Sequence, residues 1–221
     1  MVTKEIQSDV FWKAGILTLT VFLLGVFVGY WLDSNRVEEI REEYQKTYVN
    51  VNDATLQTLY YRTFQNYTNF CEPAIEENLK FADKVYEGGL RMDKYEKINK
   101  LAPSLILDKK KYVLLKLQFW LNCIELKRSC NASYKNLVYF YSHYNTTAEE
   151  NAQGAVLMDL KEQCGKDLML IPLPIDLDIT TIEIVKNQYG IKRTPTILID
   201  EKIKLEGAQT LGELKEYVDC R

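Results

Sequence analysis

Nineteen consecutive residues without a charged side chain, Ala14 to Leu32 (AGILTLTVFLLGVFVGYWL), constrain this chain more than any other stretch. As a helix they extend about 29 Å, which matches the ~30 Å hydrocarbon core of a bilayer. Trp12 stands just before the run and Tyr30-Trp31 close it, where interfacial aromatics belong. The run is too long for the apolar core of a cleaved signal, and its exit, Trp31-Leu32-Asp33, offers no small-residue cleavage site. The reading is an uncleaved signal anchor: a tail over 1–13, a single transmembrane helix over 14–32, and a cell-membrane location. Within the span, Gly25-Val26-Phe27-Val28-Gly29 has the GxxxG spacing that lets two helices approach as a homodimer. Glycine is also common in membrane helices without that role.

Charge does not set the orientation, since Lys4 and Lys13 precede the span and Arg36, Arg41 and Lys46 follow it. The five cysteines and three N-glycosylation sequons, at Asn66, Asn131 and Asn145, all follow the span and favour an extracytoplasmic C-terminal part. A net charge of −3 leaves no basic footprint for nucleic acid. With one histidine in the chain, a His-based metal site or triad would rest on His143 alone. No metal or cofactor is expected.

From 33 to 133 the periodicity is helical throughout, an all-α stalk and bundle. Val37, Ile40, Tyr44 and Tyr48 recur between charged residues, as in an amphipathic stalk. A second helix is expected after the capping pair Asn52-Asp53, and a third over Pro73 to Tyr86 ended by Gly88-Gly89. A short helix over Arg91 to Leu101 stops before Pro103. The longest expected helix, from about Asp108 to Cys130, is apolar on nearly all sides and so belongs at the centre of the bundle. Its lysines (Lys109, Lys110, Lys111, Lys116) argue against a second membrane span. The Tyr and Phe stripe through these helices has the spacing of a core, not of a ligand platform.

From Lys135 the pattern alternates strand and helix. Leu137 to Ser142 is a continuous apolar strand suited to the centre of a sheet. A helix follows over Thr147 to Gly165, then a strand over Leu168 to Leu173 whose Pro172 and Pro174 point to a sheet edge. Thr180 to Tyr189 is a helix with Thr180-Thr181 as candidate caps. The final stretch reads as a hairpin turning at Asp200-Glu201, entered by Thr194-Pro195 and followed by a helix over Leu211 to Val218. The order β-α-β-α-β-β-α, with Tyr189-Gly190-Ile191-Lys192-Arg193-Thr194-Pro195-Thr196 entering the hairpin, resembles an α/β thioredoxin-like domain over 134–221. The helical preface ending at Cys130-Asn131 is similar to that of membrane-anchored archaeal proteins with this fold.

That resemblance implies a cis proline at Pro195 forming one wall of an active site, and a Cys-x-x-Cys pair at the start of the first helix. Here the matching stretch is His143-Tyr144-Asn145-Thr146-Thr147-Ala148-Glu149-Glu150, with Asn145 and Ala148 where the thiols would stand. The domain is therefore expected to lack dithiol chemistry. Asn145 can cap the helix, and Glu149-Glu150 suit its first turn. The family's use of backbone beside the proline implies an extended polypeptide partner held at Thr194, Pro195, His143, Tyr144 and Asn145. It also implies helix ends close enough for a Cys164–Cys220 disulfide. Cys71 can pair with Cys130 or with Cys123, which lie seven apart on one helix face; Cys130, at the helix end, is the easier partner. All five cysteines as free buried thiols is the plain alternative. One competing function is a thiol–disulfide oxidoreductase or isomerase using an unorthodox pair such as Cys123 with Cys130 or Cys71; another is a structural subunit of a membrane complex, with a membrane-protein partner and the anchor and stalk as the functional parts. Asp176-x-Asp178 reads as a strand-end loop rather than a metal motif.

Overall fold

The computed structural model describes residues 8–64, 69–98 and 105–220. The chain forms two compact units, Met1–Lys46 and Thr47–Arg221. In the first, helix α1 (Ser8–Phe64) contains the stretch Phe11–Trp31, 21 residues of mean hydropathy 2.0, none of them buried. That stretch is long and apolar enough to cross a membrane. The stalk pattern at Val37, Ile40 and Tyr44 lies outside the described side chains.

The last turns of α1 belong to the second unit, and the break expected after Asn52-Asp53 is absent. Their polar atoms are satisfied on the helix surface instead. The Asn52 amide donates to the Tyr48 carbonyl at 2.9 Å, and Asp53 accepts from the Gln57 amide at 2.8 Å. Neither residue is needed as a cap. Helix α2 (Cys71–Ile98) starts with Pro73 in its first turn, as expected, but runs straight through Gly88-Gly89. The continuation over 99–104, including Leu101 and Pro103, lies outside the described residues.

The two glycines serve close approach rather than termination. Helix α3 (Leu105–Cys130) brings Tyr112 onto α2, where its hydroxyl donates to the Val85 carbonyl at 2.5 Å. A Cβ at Gly89 would lie 2.7 Å from that hydroxyl oxygen. Gly89→Ala gains helix propensity of about 1 kcal/mol but must displace the Tyr112 ring, at about 1–3 kcal/mol. The expected net result is a loss of about 1 kcal/mol, read from the denaturation midpoint; a gain in stability would contradict the packing role.

Beyond α3 come β1 (Lys135–Tyr141), α4 (Ala148–Cys164), β2 (Leu168–Pro174), α5 (Thr180–Tyr189), β3 (Thr196–Ile199), β4 (Ile203–Glu206) and α6 (Leu211–Lys215). The four strands form one mixed sheet in the order β2-β1-β3-β4. β2 runs parallel to β1, while β3 and β4 are antiparallel to their neighbours. β1 is central and buried on both faces, which is why it reads as a continuous apolar run. β2 lies at an edge, where prolines cost no ladder bond. The Ile175 N–H donates to Tyr141 C=O at 2.9 Å, so odd-numbered N–H groups of this strand face β1. Pro172 and Pro174 take the outward positions.

Val138, Phe140, Met169, Ile171 and Leu198 face one core, shared with α3 and α5. Leu137, Tyr139, Leu168, Ile197 and Ile199 face the other, with α4 and α6. The first core continues into the helical segment through Phe81, Phe119 and Trp120. α3 is thus central in a stronger sense than a bundle helix: it also forms a layer on the sheet. The Asp200-Glu201 turn locks it there. Both residues have positive φ (49° and 58°), with Lys202 N–H donating to Ile199 C=O at 3.1 Å, the primed-turn geometry that hairpins favour. Glu201 accepts from the Trp120 indole at 2.6 Å and from the Asn136 amide at 3.1 Å. Asp200 contacts Lys127 and accepts from Lys135 at 3.0 Å and from Asn136 N–H at 2.9 Å.

Two terminal expectations need correction. α5 is preceded by Ile179 with no side-chain cap, so Thr180 and Thr181 are its first residues and not its caps. α6 is shorter than expected and ends at Lys215, although Val218 N–H still bonds Leu214 C=O at 3.1 Å.

Candidate functional site

The loop after β1 is built around two carboxylates. Asp176, just past β2, accepts from the Ser142 hydroxyl at 2.7 Å, from His143 N–H at 2.7 Å and from Tyr144 N–H at 3.0 Å. Burial alone would raise its pKa; these three donors outweigh burial and hold the carboxyl below its ordinary value. Asp176 therefore pins the loop, and no metal role is needed to explain it. Among the described residues no group of three or more His, Cys, Asp or Glu side chains converges as a metal site would require.

Glu150, in the first turn of α4, is the second carboxylate and is buried. It accepts from Ser142 N–H at 2.7 Å and from Thr147 N–H at 2.6 Å, while Thr147 Oγ1 accepts from Glu150 N–H at 3.2 Å. This is a capping box, so Thr147, not Asn145, caps α4. The spacing Thr147-x-x-Glu150 is the sequence signature of that box, so Glu150 is more than a first-turn charge. The Thr194 side chain also lies near Glu150 and helps lower its pKa. Burial again pushes its pKa up, and Thr147, the Thr194 side chain and Ser142 hold it below the ordinary carboxylate range.

The β1–β3 pair, with Phe140 opposite Thr196, brings the loop after β1 and the residue before Pro195 to one end of the sheet, two segments expected to face each other. Thr194 is half-buried, and its peptide bond to Pro195 is cis. Pro195 is buried and its carbonyl accepts from Gly207 N–H at 2.9 Å. The backbone N–H and C=O of Thr194 make no hydrogen bond among the described residues. Tyr144 and Asn145 are exposed. The arrangement offers an unpaired backbone segment before β3 and, at the same end of the β1–β3 pair, a hydrogen-bonded, solvent-facing loop.

His143 is drawn elsewhere. Its ring nitrogens lie 3.2 and 3.3 Å from Lys109 Nζ, and that lysine, itself buried, contacts Glu96 at 2.5 Å. Burial first, and the Lys109 charge next, hold the imidazole pKa below its ordinary value, against Glu96 and Asp176. The ring is neutral at pH 7 and accepts from Lys109. Since the Ser142 hydroxyl donates to Asp176, Ser142 and His143 do not pair as nucleophile and base among the described residues. A cleft of 410 Å³ opens here, lined among others by Glu96, Lys109, Tyr141, His143, Met158 and Pro172.

Cys71 is bonded to Cys130 and Cys164 to Cys220. Cys123 is free but fully buried, and burial pushes its thiol up to about 12. It accepts from the Asn78 amide at 3.4 Å. A thiol so placed is a poor nucleophile. Of the sequons, Asn131 and Asn145 are exposed, and Asn66 lies outside the described residues. Gly25 and Gly29 sit on open helix surface, with nothing within 4 Å of an added Cβ.

No protein-family model matches the chain. No curated protein matches it either. Among solved structures, one described as the structure of a malarial protein aligns at 18% identity over 38% of this chain and 91% of that one, with a TM-score of 0.31. A likeness that weak carries no argument about fold or function.

Proposed function

We propose that this is a single-pass membrane protein whose extracytoplasmic C-terminal part is a thioredoxin-like domain without a redox pair, and that it holds an extended polypeptide partner along Thr194. The strand order, the parallel β1–β2 pair and the cis Thr194–Pro195 bond before β3 support the fold reading. Two disulfides within the second unit suit an oxidising compartment. The observation that carries the functional reading is the bridge at Glu150. It holds the exposed loop at the end of the β1–β3 pair where the backbone groups of half-buried Thr194 are unpaired among the described residues. Strand addition there needs no thiol. An oxidoreductase would need an accessible one, and four of the five cysteines are paired while the fifth is buried.

The test uses the full chain in detergent micelles and reduced, carboxymethylated α-lactalbumin as an unfolded probe. Thr194→Trp places a bulky ring over the edge and is expected to weaken binding by about tenfold or more, equivalent to about 1.4 kcal/mol. Thr194→Ser keeps the hydroxyl and is expected to bind like wild type. Equal affinity for all three proteins would sink the reading.

A further inference from the structure

Asn145 occupies the apex of the loop that Asp176 and Glu150 hold in place. Its N–H donates to Ser142 Oγ at 3.0 Å. The next residue, Thr146, donates its hydroxyl to the Ser142 carbonyl at 2.7 Å, and Thr147 is fixed as the α4 cap. The backbone is thus anchored on both sides, yet the Asn145 side chain is exposed and makes no hydrogen bond among the described residues. The three fully buried asparagines, Asn78, Asn122 and Asn136, lie in no sequon. Asn145 does, as Asn145-Thr146-Thr147. Two residues further on, Thr147 N–H donates to the Glu150 carboxylate, which the Thr194 side chain also approaches. The β1–β3 register, with Phe140 opposite Thr196, brings this hydrogen-bonded loop to the same end of the sheet as Thr194, within reach of a group attached to Asn145.

We propose that Asn145 carries an N-linked glycan and that this glycan gates the polypeptide edge at Thr194. The donor is a polyprenyl-(pyro)phosphate-linked oligosaccharide. A bond forms between Asn145 Nδ2 and the sugar C1 while the C1–O bond to phosphate breaks. The electron pair leaves on the phosphate oxygen, and the amide loses one proton to solvent. The modified form has a covered edge and the unmodified form an open one, so glycan occupancy sets how much of the protein binds a partner. The inference rests on the orientation and the edge proposed above, and its test separates failure of each.

Three full-length variants, each keeping one sequon while the other two asparagines are changed to glutamine, are translated into glycosylation-competent microsomes. The variant keeping only Asn145 is expected to show one mobility step that an endoglycosidase removes. Asn131, also exposed and also C-terminal to the span, reports orientation. Modification at Asn131 with none at Asn145 overturns the inference and leaves the orientation standing. No modification at any site overturns both. For the gate, enzymatic removal of the Asn145 glycan is expected to raise affinity for carboxymethylated α-lactalbumin about tenfold. Unchanged affinity overturns gating, and no binding by either form overturns the edge reading and the gate together.

Discussion

Replacing Glu150 by alanine is expected to cost the second unit about 3 kcal/mol. The carboxylate accepts from Ser142 N–H and Thr147 N–H, and a hydrogen bond to a charged acceptor contributes about 1.5–3 kcal/mol net. Simple addition would overshoot. Removing the residue also removes the cost of burying a charge, and water can replace the acceptor at exposed Thr147. Glu150→Gln should lie in between, since one amide oxygen still accepts while the new NH₂ faces donors. The pH dependence separates this role from simple packing. The folded-state pKa lies below the ordinary value of about 4.3, so the contribution is full above that value. It is lost as pH falls through the folded-state value. Wild type should therefore weaken below about pH 4, with Asp176 contributing in the same direction. The Glu150→Ala protein should show a shallower acid limb. Denaturation midpoints of the full chain in micelles across pH 2.5–7, a range of about two units either side of ordinary carboxylate titration, measure both effects. Identical acid limbs would remove Glu150 as the organiser of the site.

Loss of either disulfide should cost about 4 kcal/mol by the chain-entropy argument, because each closes a long loop. The separations are 59 residues for Cys71–Cys130 and 56 for Cys164–Cys220. The first ties the start of α2 to the end of α3, and the second ties the end of α4 to the C-terminal segment after α6. Cys71→Ala/Cys130→Ala should loosen the helices that cover one face of the sheet. Cys164→Ala/Cys220→Ala should free the C-terminal segment and uncover Val218, now buried. Non-reducing peptide mapping is expected to recover these two pairs and Cys123 as the sole free thiol. Recovery of five free thiols from native membranes would remove the argument for an oxidising compartment. A readily reduced exposed pair would revive the oxidoreductase reading.

Much of the secondary structure was legible because it depends on local period and turn chemistry. The apolar run of β1, the prolines of edge strand β2 and the Asp200-Glu201 turn each follow from residues close in sequence. Failures came where a residue type has two uses. Asn52-Asp53 and Gly88-Gly89 carry helix-boundary signals, yet the first pair satisfies its side chains along the helix and the second makes room for Tyr112. Thr147-x-x-Glu150 is a local signature that would have identified the cap of α4. That Thr194, 44 positions away, comes near Glu150 depends on the arrangement of the whole sheet.

Sequence alone determined a helix apolar and long enough to cross a membrane, the alternation of strands and helices after Lys135, and the absence of a Cys-x-x-Cys pair. These are matters of composition and spacing, which no packing can alter. Tertiary structure decided the rest. It placed α3 on the sheet through Trp120 and Glu201, paired four cysteines and buried the fifth, and gave Asp176 and Glu150 the donors that hold one loop beside Thr194. Each of those outcomes depends on which distant groups meet in space. A carboxylate's role is set by the donors that converge on it, and the periodicity of the chain around it carries no record of them.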